Sequence, residues 1–87
     1  MSALIWSHRR QWVTHLGHSG LDIEITITRF AAESQWYWYV DGFDRSRLAT
    51  LSEFSKSAAS SLTEAKRRAA QQADALLVRM VAARGGA

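Results

Sequence analysis

The sequence predicts an α+β fold: an antiparallel β-meander of three or four strands, packed on one face by a single C-terminal α-helix. Three observations carry this. Residues Leu21–Phe30 alternate apolar and polar side chains with a period of two. Residues 61–83 carry an apolar stripe at three- and four-residue spacing. Closing the intervening hairpins at their turn residues places one apolar set on one side of the sheet.

In the clearest strand, Leu21, Ile23, Ile25 and Ile27 alternate with Asp22, Glu24, Thr26 and Thr28. β-Branched residues in this pattern form strands with one buried and one wet face. Gly17-His18-Ser19-Gly20 precedes it as a turn, and Arg10–Leu16 reads as another strand. Ala31–Ser34 forms the next turn, Trp36–Val40 the next strand, and Asp41-Gly42 a further turn signal. Leu48–Phe54 is a weaker fourth strand. The expected spans are about 10–16, 21–30, 35–41 and 48–54.

Registers follow from the turns. Leu16 opposite Leu21 places Trp12 against Ile25. Phe30 opposite Gln35 places Ile27 against Trp38 and Ile25 against Val40. Asp41 opposite Leu48 places Val40 against Ala49 and Trp38 against Leu51. One face then holds Trp12, Leu16, Leu21, Ile23, Ile25, Ile27, Trp36, Trp38, Val40, Ala49 and Leu51. A one-residue slip would send a whole strand's apolar set into water.

Ser61-Leu62-Thr63-Glu64 is a capping-box pattern and opens the helix, expected over about 61–83. Leu62, Ala65, Ala69, Ala73, Leu76, Leu77, Met80 and Val81 form its stripe, and Gly85-Gly86 ends it. Alanine in the stripe brings the helix axis close to the sheet, where indole rings fill the remaining space. The tryptophans are therefore expected under the helix. Burying Tyr37 and Tyr39 instead would demand partners for two hydroxyls.

Composition narrows the function classes. The chain has 87 residues, no cysteine, no proline and a net charge of +3. This length suits one domain. Without cysteine there is no disulfide framework, thiolate metal site or cysteine nucleophile. The longest apolar run, Ala75–Val78, is broken by Arg79, far short of a membrane span. Met1–Trp6 lacks the basic and apolar regions of a secretory signal. A cytoplasmic protein that does not use a membrane is the expectation.

The site expectations follow from sidedness. One helix covers one face, leaving the other to display Arg9, Gln11, His15, Thr26, Thr28, Tyr37, Tyr39, Thr50 and Ser52. Tyrosines beside arginine can stack on bases or on peptide groups. An ordinary solvated sheet face carries the same residue types. Asp22 and Glu24 on this face repel phosphate. A second candidate is the basic patch Arg10, Lys66, Arg67 and Arg68, which can meet a phosphate backbone or simply face solvent.

Three strands followed by Glu64–Ala70 loosely resemble the C-terminal half of a double-stranded-RNA-binding domain. That family's basic pair would fall on Leu62 and Thr63, and its leading helix on residues read here as strands, so the assignment is not made. His15-x-x-His18 has no cysteine or placed carboxylate to complete a metal set, and no metal or other cofactor is expected. No phosphate loop or nucleophile elbow is present, and Asp22 and Glu24 share an open strand face with no desolvating pocket.

The expected function is thus a small non-catalytic interaction module that associates with another protein, or with itself as a dimer, through the open face. The alternative is nucleic-acid binding by the basic helix and the exposed tyrosines.

Overall fold

A computed structural model describes residues 4, 6–8, 11–29 and 34–85. The described chain forms β1 (Ser7–His8), β2 (Trp12–His18), β3 (Leu21–Thr28), β4 (Tyr37–Asp44), β5 (Ala49–Phe54) and α1 (Leu62–Gly85). The strands make one antiparallel sheet in the order β1-β2-β3-β4-β5, with α1 on one face. The meander-plus-helix architecture is as the sequence predicts, with β1 added as a two-residue strand at one edge.

The middle hairpin has the expected register: Ile27 opposite Trp38 and Ile25 opposite Val40. The first hairpin differs. His18, not Leu16, lies opposite Leu21, and Trp12 meets Ile27 rather than Ile25. The turn is only Ser19-Gly20, with φ of 50° and 82°. Positive φ at both central residues gives the type I′ geometry that matches strand twist.

The last hairpin differs more. Val40 lies opposite Glu53 and Gly42 opposite Leu51. Asp41-Gly42 is not a turn; it lies inside β4, and the chain reverses at Arg45–Leu48. Asp44 organises that reversal, its carboxylate accepting from the Ser46 backbone N–H at 3.0 Å and hydroxyl at 2.7 Å. Gly42 is needed for contact: a Cβ there would lie 2.6 Å from Met80 Sδ, 3.1 Å from Ile23 Cδ1 and 3.3 Å from Leu76 Cδ2. Glycine inside a strand marks this kind of close approach.

The core lies between the sheet and α1. Leu21, Ile23, Ile25, Ile27, Trp38 and Val40 meet Ala65, Ala69, Ala73, Leu76 and Met80. Thr14, opposite Ile25, is buried on the same side. The small alanines let α1 settle over β3 and β4. The Ser61 hydroxyl caps α1 by accepting the Glu64 N–H at 3.2 Å. The linker before it is pinned by paired backbone bonds between Trp36 and Ala59, each 2.9 Å. Among the described residues, no helix is long and apolar enough to cross a membrane.

At its far end α1 is clamped by Arg84. Its guanidinium donates to both carboxylate oxygens of Asp44, at 3.0 and 3.2 Å, and to the Ser19 carbonyl. The Arg84 guanidinium and the Ser46 hydroxyl hold the Asp44 carboxyl well below the usual carboxylate range. Arg79, then Gln72, lower that of Glu53. Both depressed groups contribute stability that is present above the ordinary carboxylate value near 4 and is lost as pH falls toward the folded values. The thermal midpoint is therefore expected to fall between pH 5 and pH 2. In Asp44→Asn that acid slope is shallower, while the midpoint at pH 7 is lower than in the parent. A wild-type slope retained in Asp44→Asn would remove this pair as its cause.

Candidate functional site

The helix-free face is built by the odd-numbered residues of β2 and β4 and the even-numbered residues of β3 and β5. The registers set these side chains in rows across four strands. Val13, Thr26, Tyr39 and Phe54 form one row; His15, Glu24, Asp41 and Ser52 the next; Gly17, Asp22, Phe43 and Thr50 the third. Thr28 and Tyr37 lie beside the first row.

Of the residues expected here, His15, Thr26, Thr28, Tyr37, Tyr39 and Thr50 are on this face, and Gln11 is exposed just before β2. Arg9 lies outside the described residues, as does Arg10 of the basic patch. The expected set omits Val13, Phe43 and Phe54. Phe54 shares strand parity with Thr50 and Ser52, so alternation alone locates it. Phe43 is hidden when Asp41-Gly42 is read as a turn.

Phe54 organises an aromatic cluster. Its ring centroid lies 4.7 Å from that of Tyr39, tilted by 58°, and 6.1 Å from that of Tyr37, nearly parallel. Such pairs contribute about 0.5–1.5 kcal/mol beyond burial, yet Phe54 stays 46% exposed. Beside the cluster stand three carboxylates. Glu24 meets His15 Nε2 at 2.9 Å, and Asp22 meets Arg45 Nε at 3.2 Å. Asp41 makes no ion pair among the described residues. The surface thus offers π-faces and carboxylates side by side.

His15 and His18 are three apart on a strand and so point to opposite faces. His15 joins Glu24, while His18 borders the helix near Leu77 and Val81.

The basic patch lies on the other side of the molecule. Lys66 Nζ stands 4.0 Å from the Trp12 ring centroid and 5.4 Å from that of Trp6. Arg68 lies over Trp38 at 5.0 Å and Arg29 over Trp36 at 5.0 Å. Each of the four tryptophans therefore carries a cation over its face. Arg68 also donates to the Ala58 carbonyl at 3.2 Å and to the Ser57 hydroxyl, securing the linker. Arg67 pairs with Glu64 at 3.4 Å. Arg68 further borders a cleft of about 480 Å³ with Lys56 and Arg79, whose charge is partly met by Glu53 bonded to Arg79. Lys66, Arg67 and Arg68 do not share a surface with Tyr37 and Tyr39; the sheet stands between them. Comparison of the chain with protein-family models, with curated proteins and with solved structures finds no match.

Proposed function

We propose that this chain is a non-catalytic protein-interaction module whose docking surface is the helix-free sheet face, taken by a basic segment of a partner protein. One observation carries the reading: Asp22, Glu24 and Asp41 share that face with Tyr37, Tyr39, Phe43 and Phe54. Arginine and lysine side chains satisfy both features, pairing with carboxylates and stacking on rings.

Charge also sorts the other occupants. A second copy laid face to face would set carboxylates against carboxylates. A phosphate backbone meets the same repulsion; Arg45 on this side is already paired with Asp22, and Lys66 and Arg68 are on the opposite side, over tryptophans. The face measures roughly 19 by 25 Å from standard strand spacings, on the order of 500 Å². That suits a transient complex better than an obligate one.

The test is a titration of the ¹⁵N-labelled chain with hexa-arginine, hexaglutamate and a single-stranded oligonucleotide. Hexa-arginine is expected to shift the amides of Glu24, Tyr39, Asp41 and Phe54. Tyr39→Ala weakens that binding about two- to fivefold, the value of one cation–π contact. Shifts confined to Lys66–Arg68 with the oligonucleotide, and none on the face with hexa-arginine, would overturn the reading in favour of nucleic acid.

A further inference from the structure

The two edges of the sheet are treated differently. At one edge β1 is only two residues long, a short terminal strand of the kind that discourages further pairing. At the other, β5 runs six residues from Ala49 to Phe54 with an unbroken register and no bulge. The chain has no proline, and β5 carries no lysine or arginine. Its one charged residue, Glu53, turns toward α1 and is bonded by Arg79 and Gln72. α1 packs over β3 and β4 and leaves β5 projecting beyond it. Among the described residues, no strand pairs with the outer side of β5.

The ladder fixes which backbone groups point outward. Ser55 N–H donates to the Trp38 carbonyl at 2.8 Å, so Ser55, Glu53, Leu51 and Ala49 turn their backbone groups toward β4. By alternation, Thr50, Ser52 and Phe54 turn theirs to the open edge. The Phe54 carbonyl is met by Gln72 Nε2 at 3.4 Å, leaving Thr50 and Ser52 with both donor and acceptor to offer.

Among the described residues, three of the five exposed large apolar side chains lie at or beside this edge, Leu48 at 80% exposed, Leu51 at 43% and Phe54 at 46%; the other two, Val78 and Val81, are on α1. Leu48 also has φ of 52°, a backbone region that suits glycine or asparagine. Among the described residues, none covers this leucine.

We infer that β5 pairs antiparallel with β5 of a second copy, about a two-fold axis through Leu51. In this register Thr50 of each copy lies opposite Ser52 of the other, and the pairs exchange four backbone hydrogen bonds. Leu51 meets its symmetry mate as a non-hydrogen-bonded pair on the helix side. Leu48, in the turn just before β5, comes level with Phe54 of the other copy at the end of the seam. No charge opposes itself at the seam. The contact is isologous and uses up the open edge of both chains, leaving the short β1 strands outermost, so assembly stops at two. Both helix-free faces emerge on the same side of one ten-stranded sheet. This dimer does not depend on what docks on those faces; it runs along the β5 edge and shares with them only Phe54, at their border.

The experiment uses the full chain. Sedimentation across concentration is expected to show mass rising to twice the 9.8 kDa of one chain, with little change between low and high salt. Leu51→Cys should cross-link into a disulfide dimer under mild oxidation, because opposed non-hydrogen-bonded residues lie within disulfide reach. Ala49→Cys should not, since that position sits opposite Glu53 of the other copy. Leu51→Lys should raise the dimer dissociation constant on the order of tenfold or more, with circular dichroism confirming that the exposed substitution leaves the fold intact. A wild-type chain that stays monomeric at millimolar concentration overturns the inference. So does equal cross-linking of the two cysteine variants, or a dimer undisturbed by Leu51→Lys.

Discussion

Trp38→Ala is expected to lower unfolding stability by about 3–5 kcal/mol, the range for removing a buried large aromatic side chain. Tyr37→Ala and Tyr39→Ala should each cost less, about 1–2 kcal/mol, because both rings are only half-buried and pair with Phe54. The asymmetry comes from sidedness. Trp38 is 2% exposed, opposite Ile27, with its indole N–H donating to Gln72 Oε1 at 2.7 Å and the Arg68 guanidinium over its ring. Its removal opens a cavity, leaves Gln72 Oε1 without this donor and takes away the ring beneath Arg68. The tyrosines touch Phe54 on the wet face, outside the packed core. Urea denaturation followed by far-UV circular dichroism measures all three variants. Equal losses would refute the assignment of faces.

Gly42→Ala comes next, at about 1–3 kcal/mol, the usual cost of overpacking a filled core. A single methyl group would enter the space held by Met80, Ile23 and Leu76, closest to the Met80 sulfur. Methionine is adaptable, which limits the cost, but Ile23 and Leu76 are fully buried and have nowhere free to move. The expected result is a lower urea midpoint with the slope unchanged. Gly42→Ala combined with Met80→Ala tests the cause, because shortening Met80 makes room for the new methyl. The double variant should then lose less than the sum of the two single losses. Additive losses would mean that the Met80 contact is not what makes glycine necessary.

Both predictions rest on the clash and burial pattern under α1, and the same pattern explains the basic residues. Lys66 and Arg68 read in sequence as free cations on the solvated side of a helix. In the fold they bend over Trp12 and Trp38. A linear pattern identifies a charge and a ring but not their meeting, since these pairs are 54 and 30 positions apart in the chain. The Asp44–Arg84 clamp, 40 residues apart, was invisible for the same reason.

Which side of each strand faces the helix was legible in the alternation of residues such as Ile23 and Glu24, because a pleated strand has a strict period of two. The two registers that differ do so by even steps: His18 rather than Leu16 opposite Leu21, and Glu53 rather than Ala49 opposite Val40. An even shift keeps every side chain on its face, so the tryptophan and tyrosine sides survive it. Where β4 ends was a different kind of question. Asp41-Gly42 has the composition of a turn, and only the packing of Met80 and Leu76 against Gly42 shows why glycine is required inside the strand. Local periodicity is written into neighbouring residues; close approach between distant elements arises only when the chain has folded.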